Sequence, residues 1–216
     1  MINKIKLLCL SCVLMLLAGC QTAYYSAMEQ VGVHKRDILV DRVEEARESQ
    51  EEAQEQFKDA LEQFRSVVSF DGGELDKLYN RLQGEYDDSV EAAEDVSNRI
   101  RKVEQVSEDL FEEWEEELTK YSNQNLRNQS AAKLRSTKTR YRDLIRTLKQ
   151  AEKRMPPVLS ALQDNVLFLK HNLNARAIGS LKSEYKGIKS NIDLLIRDME
   201  KAINESDRFI AKMSEG

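Results

Sequence analysis

Apolar residues in this chain keep a spacing of three and four over long unbroken stretches, and that spacing limits the fold more than any other feature. One row spaced by seven reads Tyr79, Tyr86, Ala93, Ile100, Ser107, Trp114 and Tyr121, and its partner row reads Leu82, Ser89, Val96, Val103, Leu110 and Glu117. A repeat of seven places both rows on one narrow stripe of a helix, the pattern of a coiled coil or long bundle. The spacing predicts a helix from about Glu74 to Tyr121. At 1.5 Å per residue, that helix is roughly 70 Å long. No compact domain of 216 residues holds such an element, so the chain is expected to be elongated. With only 8 Gly and 2 Pro, it also lacks the frequent turns that a β-sandwich or barrel needs.

The same pattern runs before and after this segment. Val43, Ala46, Ala53, Phe57, Ala60, Phe64 and Val67 form a stripe with Gln50 in one seam position, which predicts a helix from about Ser26 to Ser69. Asp71-Gly72-Gly73 then supplies a reversal, because glycine adopts the backbone conformations of a helix C-cap or tight turn. A second reversal is read at Ser122-Asn123-Gln124-Asn125 and Asn128, with the next helix restarting near Ser130.

Beyond it, Leu134, Tyr141, Leu148, Met155, Leu162 and Leu169 form one row, and Ile145, Leu159, Val166 and Leu173 the other, interrupted by Glu152. Pro156-Pro157 lies inside this pattern without changing its phase, which predicts a kink. After Leu173 the phase slips to Leu181, Ile188, Leu195, Ala202 and Phe209, with Tyr185, Ile192 and Met199 beside them. Either one helix continues through a stutter, or Asn172 and Asn174 mark a third turn. The lack of Gly or Pro at 170–178 favours continuity, whereas matched helix lengths favour a turn. The expectation is therefore all-α: an elongated antiparallel bundle or coiled coil of three long helices, or four, the last kinked at Pro156-Pro157.

The N-terminus has a different character. Lys4 and Lys6 precede an apolar run from Leu7 to Ala18, too short to span a bilayer core but suited to a secretory signal. Leu17-Ala18-Gly19-Cys20 follows and resembles a bacterial lipobox. The resemblance implies cleavage between Gly19 and Cys20, acylation of the Cys20 thiol, and membrane anchoring through more than one chain. Gln21, where Asp would imply retention in the inner membrane, implies transfer to the outer membrane, facing the periplasm. Residues 1–19 are then a removed signal, 20–32 a lipidated tether and 33–216 a single helical domain. Cys9 and Cys12 leave with the signal, so no disulfide is expected.

Charge is segregated along the chain. Glu44 to Glu62 holds eight acidic and two basic residues, Glu104 to Glu117 eight acidic and none basic, and Arg127 to Arg154 ten basic and two acidic. One reading is intramolecular, with opposite signs choosing helix neighbours and register. The other gives the basic stretch, above all Lys133, Arg135, Lys138, Arg140, Arg142, Arg146 and Lys149, an anionic membrane or lipopolysaccharide phosphates to bind. After signal removal, 31 basic and 38 acidic residues leave about −7, which argues against nucleic acid as a partner.

No catalytic, cofactor or metal motif stands out. His34 and His171 lack the Glu or His partners at helical spacing that a di-iron or zinc site needs. Trp114 lies on a seam row and is read as packing. The lipobox followed by an unbroken helical chain, with Leu167-Phe168-Leu169-Lys170-His171-Asn172-Leu173-Asn174, resembles Gram-negative envelope lipoproteins that carry a helical domain of unknown function. Long kinked helices also resemble BAR-type modules in shape alone. The expectation is a non-enzymatic outer-membrane lipoprotein: a scaffold or spacer that binds or shapes membrane, self-associating as a homodimer, or an adaptor holding another envelope protein in a helical groove.

Overall fold

A computed structural model of the chain describes residues 34–70, 72 and 74–214. The signal, Gly19, Cys20 and the tether lie outside the described residues. Among the described residues the structure is all-helical, with five segments: α1 (Lys35–Val68), α2 (Leu75–Lys120), α3 (Gln124–Glu152), α4 (Met155–His171) and α5 (Ala175–Ser214). α2 is 46 residues long, so it extends about 70 Å.

Each boundary has a local cause. The Asp37 carboxylate accepts a hydrogen bond from the His34 backbone N–H at 3.3 Å, which satisfies an N–H that the first turn of α1 leaves without a helical partner. Between α1 and α2, Gly72 takes φ +147°, a conformation open to glycine and strained for other residues. Asn123 Oδ1 accepts from the N–H groups of Asn125 and Leu126 at 2.9 and 3.2 Å and so starts α3. The second reversal is thus confined to 121–123, and Asn125 and Asn128 are helical rather than part of a turn.

The continuous last helix does not form. Asn172 donates from Nδ2 back to the Phe168 carbonyl at 2.9 Å, and Asn174 Oδ1 accepts from Arg176 and Ala177 N–H at 3.0 and 3.1 Å. Asparagine side chains thus replace backbone partners on both sides of a turn that contains neither Gly nor Pro. Leu173, placed on a seam row by its spacing, sits in that turn and is 40% exposed. The proline break is found, but two residues before the prolines. Pro156 and Pro157 have no N–H to offer the carbonyls of Glu152 and Lys153, so α3 ends at Glu152. Lys153 and Arg154 keep right-handed helical dihedrals, so the rod bends there without reversing.

Contacts run round a ring: α1 against α2, α2 against α3 and α4, these against α5, and α5 against α1. Ion pairs and hydrogen bonds give the register. Lys35 meets Glu113 at 2.8 Å, Arg99 meets Glu45 at 2.7 Å, and Gln56 reaches Glu85 at 2.8 Å. Numbers rise along α1 as they fall along α2. The same opposition holds between α1 and α5, where Arg47 meets Asp207 at 3.6 Å, Gln54 reaches the Ile196 carbonyl at 3.3 Å, and Phe64 stacks on Tyr185 at 6.0 Å.

One core fills the ring. Phe57, Phe64, Leu82, Ile100, Leu144, Leu148, Met155, Leu162, Leu169, Leu181 and Phe209 are among its fully buried members. The α2 row is buried from Leu82 through Leu110 and ends at an exposed Glu117. Gln50 is fully buried at its seam position, and neither its amide oxygen nor its nitrogen has a hydrogen-bond partner. A buried polar group without a partner forfeits its hydration with no return. Gln50→Leu, close in volume, is expected to stabilise the fold by about 1–2 kcal/mol, read as a higher urea midpoint at unchanged slope. A lower midpoint would show that the amide is held.

Candidate anionic-surface site

α3 carries most of the basic stretch, and its packing sorts the cations. Its inward stripe is Leu134, Thr137, Leu144, Leu148 and Ala151. The flank turned to α2 meets the acidic run of that helix. Lys138 pairs with Glu115 at 2.5 Å and lies 5.3 Å from the centre of the Phe111 ring. Lys149 pairs with Glu104, and that hydrogen bond holds the Lys149 ammonium above its ordinary range. Lys133 lines a groove with Glu113, Glu117 and Trp114. Trp114 donates from Nε1 to Ser130 Oγ at 2.8 Å, and Tyr141 packs edge-on to Phe111 at 5.4 Å. Burial, the first influence on the Tyr141 phenol, raises its pKa. These contacts are intramolecular and fix α2 beside α3.

The outward face is different. Arg135, Arg142 and Arg146 are exposed and Arg140 is half-buried. Arg146 pairs with Asp143 at 2.9 Å on its own helix, and Arg142 donates to Thr139 Oγ1 at 3.0 Å. Exposed pairs within one helix hold a guanidinium weakly, at about 0–1 kcal/mol. Of the seven cations read as an anionic-surface site, Lys138 and Lys149 are therefore engaged across the α2 seam, whereas Arg135, Arg142 and Arg146 face solvent. Composition alone placed them together, because a count of charges along the chain does not say which flank of the helix faces a neighbour.

The break between α3 and α4 forms two concavities. A groove of about 460 Å³ is lined by Arg146, Lys149, Gln150, Lys153 and Arg154. A wider one of about 630 Å³ opens between α2 and the break, with Val90, Ala93, Met155, Pro156 and Leu159 among its apolar lining and Glu94, Arg101 and Lys153 among its charged lining. Arg154 donates from Nε to Asp198 on α5, and Lys201 donates to the other oxygen at 2.9 Å. Burial pushes the Asp198 carboxyl up, but hydrogen bonds from Lys201, Arg154 and Gln150 outweigh it and hold the group below the ordinary carboxylate range. Sequence reading missed Asp198. The signal available was a carboxylate between Leu195 and Met199, both seam residues.

His34 starts α1 and His171 is exposed in the last turn of α4. Among the described residues, no three His, Cys, Asp or Glu side chains are placed to hold a metal ion, and no helix is long and apolar enough to cross a membrane.

A family model described as protein of unknown function (DUF2959) matches residues 24–213. No curated protein and no solved structure matches the chain.

Proposed function

We propose, for this chain that belongs to the DUF2959 family of proteins of unknown function, a non-enzymatic role as a lipid-anchored rod of the cell envelope. Acyl chains on Cys20 hold it in the outer membrane, facing the periplasm, and the helical domain acts as a scaffold or spacer. The observation that carries this reading is one apolar core running the length of rods as long as 46 residues. The opposed register of the ion pairs supports an antiparallel, up-and-down arrangement of four rods, with α3 and α4 forming one bent rod. The described chain begins at one end of the bundle, where α1 starts, α2 ends and α3 starts, since His34, Lys35, Leu110, Trp114 and Lys133 line one groove there. An anchor attached at an end suits a spacer.

Two measurements test it. In cells, wild type is expected to carry a mass increase equal to its acyl groups, and the Cys20→Ser full chain to lack it. An unmodified Cys20 in mature protein would end the anchored reading. Solution scattering of the chain from residue 21 is expected to give a maximum dimension of at least about 70 Å, the length of α2. A compact particle would end the rod.

The groove beside the break favours a second reading, an adaptor that seats an amphipathic segment of another envelope protein against Val90, Pro156 and Leu159. A photocrosslinker at Ser97, which lines the groove, would then capture one dominant partner.

A further inference from the structure

Among the described residues, the five large hydrophobic side chains with substantial exposure lie at the two ends of the bundle. Tyr121 and Leu126, 41% and 50% exposed, flank the α2–α3 turn at the end where the described chain begins. Leu167, Phe168 and Leu173, 48%, 41% and 40% exposed, lie at the α4–α5 turn. The stacking of Phe64 on Tyr185 places this turn beside the far end of α1, so roughly 50 Å of helix separates the two ends. The core explains the buried neighbours Val166 and Leu169 but not these three, which point away from it.

Charge along the α4–α5 turn itself is one-sided. From Asn165 to Ser183 the chain has Lys170, Arg176 and Lys182 and not one carboxylate. All three cations and His171 are exposed. Carboxylates outside that stretch limit the patch: Asp164 lies one turn back on α4, Glu184 follows on α5, and at the start of α2, on the same end of the bundle, Asp76 is exposed while Glu74 pairs with Lys77. Leucine and phenylalanine rimmed by lysine and arginine, with no acid among them, is the chemistry of a segment that enters the interface of an anionic bilayer.

We propose that the α4–α5 turn is a lipid-inserting tip: Leu167, Phe168 and Leu173 enter an anionic bilayer surface, steered by Lys170, Arg176 and Lys182, at the end of the rod remote from its N-terminal tether. The surface is a bilayer opposed to the one that holds the anchor, because the exposed large apolar side chains lie at the ends and these three are at the end away from the tether. Tip insertion does not need an acyl group on Cys20, so the two readings fail separately.

The described core runs from Ile38 to Met213, so a chain starting at residue 21 keeps each of those residues and has no cysteine. An environment-sensitive dye on Leu173→Cys is expected to shift to the blue with vesicles of phosphatidylethanolamine and phosphatidylglycerol, and not with phosphatidylcholine alone. A dye on Leu126→Cys is expected to shift much less. The combined change Leu167→Ser, Phe168→Ser and Leu173→Ser should weaken vesicle binding about tenfold or more while leaving the thermal midpoint unchanged, since these side chains are already exposed. Arg135→Glu with Arg142→Glu, on the outer face of α3, should leave binding within about twofold. The full lipidated chain, anchored in one set of vesicles, should cluster a second, anionic set. Equal binding by the serine variant, loss of binding only with the α3 reversals, or binding without clustering would each overturn the proposal. So would a concentration-dependent dimer abolished by the serine variant without any vesicle binding, which would make a second copy the occupant.

Discussion

Phe57→Ala is expected to destabilise the bundle by about 3–5 kcal/mol, the usual cost of removing a buried aromatic ring and leaving a cavity. Phe57 is fully buried in the middle of α1 between Ala53 and Ala60, which are buried as well. Its small neighbours on the same helix have no length with which to fill the space, so collapse into the cavity will be poor and the upper half of the range applies. For a domain of this size each kcal/mol lowers the thermal midpoint by about 2–4 °C, so a drop of roughly 8–20 °C is expected by calorimetry. Glu55→Ala, two residues away on the opposite, exposed face, should move the midpoint by less than about 2 °C. A small effect of Phe57→Ala would mean that the seam is not packed as described.

Arg154→Ala is the second large expectation, and its asymmetry with Asp198 is informative. The Asp198 side chain is 5% exposed, whereas Arg154 is 41% exposed. Removing the arginine leaves a buried carboxylate with Lys201 as its remaining cation. Removing the carboxylate leaves two cations that can turn to water. Breaking a buried pair costs about 3–5 kcal/mol when the orphan charge is trapped, and the partial exposure of Arg154 lowers this to about 2–4 kcal/mol for Arg154→Ala. Asp198→Asn keeps the shape and should cost less, about 1–2 kcal/mol.

The pH dependence follows from the direction of the Asp198 shift. Its carboxyl is held below the ordinary range when folded, so the unfolded chain takes up its proton first as pH falls. The pair's contribution is complete above the unfolded value near 3.9, and fades as pH drops from there through the folded value. The difference between wild type and Asp198→Asn, measured by urea unfolding, should be constant from pH 7 to about 5 and shrink below about 4. A difference that grew on acidification would reverse the assignment.

Much of the fold could be read from residues alone, because a seven-residue repeat states both the helix and the face it buries. Leu82, Ser89, Val96, Val103 and Leu110 are buried as their spacing requires, and so are Leu181, Ile188, Leu195, Ala202 and Phe209. The turn at 172–174 could not be read with the same assurance. Asparagine caps by hydrogen bonds that depend on how the chain leaves the helix, and the same residues are tolerated inside one. Leu173 continued the apolar count past the point where the helix ended. The basic stretch showed the same limit: composition marked α3 as complementary to α2, but only the angular position of Lys138 and Lys149 showed which cations that complementarity uses.

Residue order alone settled that this chain forms long helices, that a glycine reversal and a proline break interrupt them, and that acidic and basic stretches are segregated along it, because periodicity, φ preference and charge are properties of neighbours along the chain. Tertiary packing alone decided that Asp198 is buried beneath Arg154, that Gln50 is enclosed without a partner, and that Leu167, Phe168 and Leu173 face outward at one end. Each of these depends on which helix lies across the seam and at what height, a relation between residues far apart in sequence that no local spacing encodes.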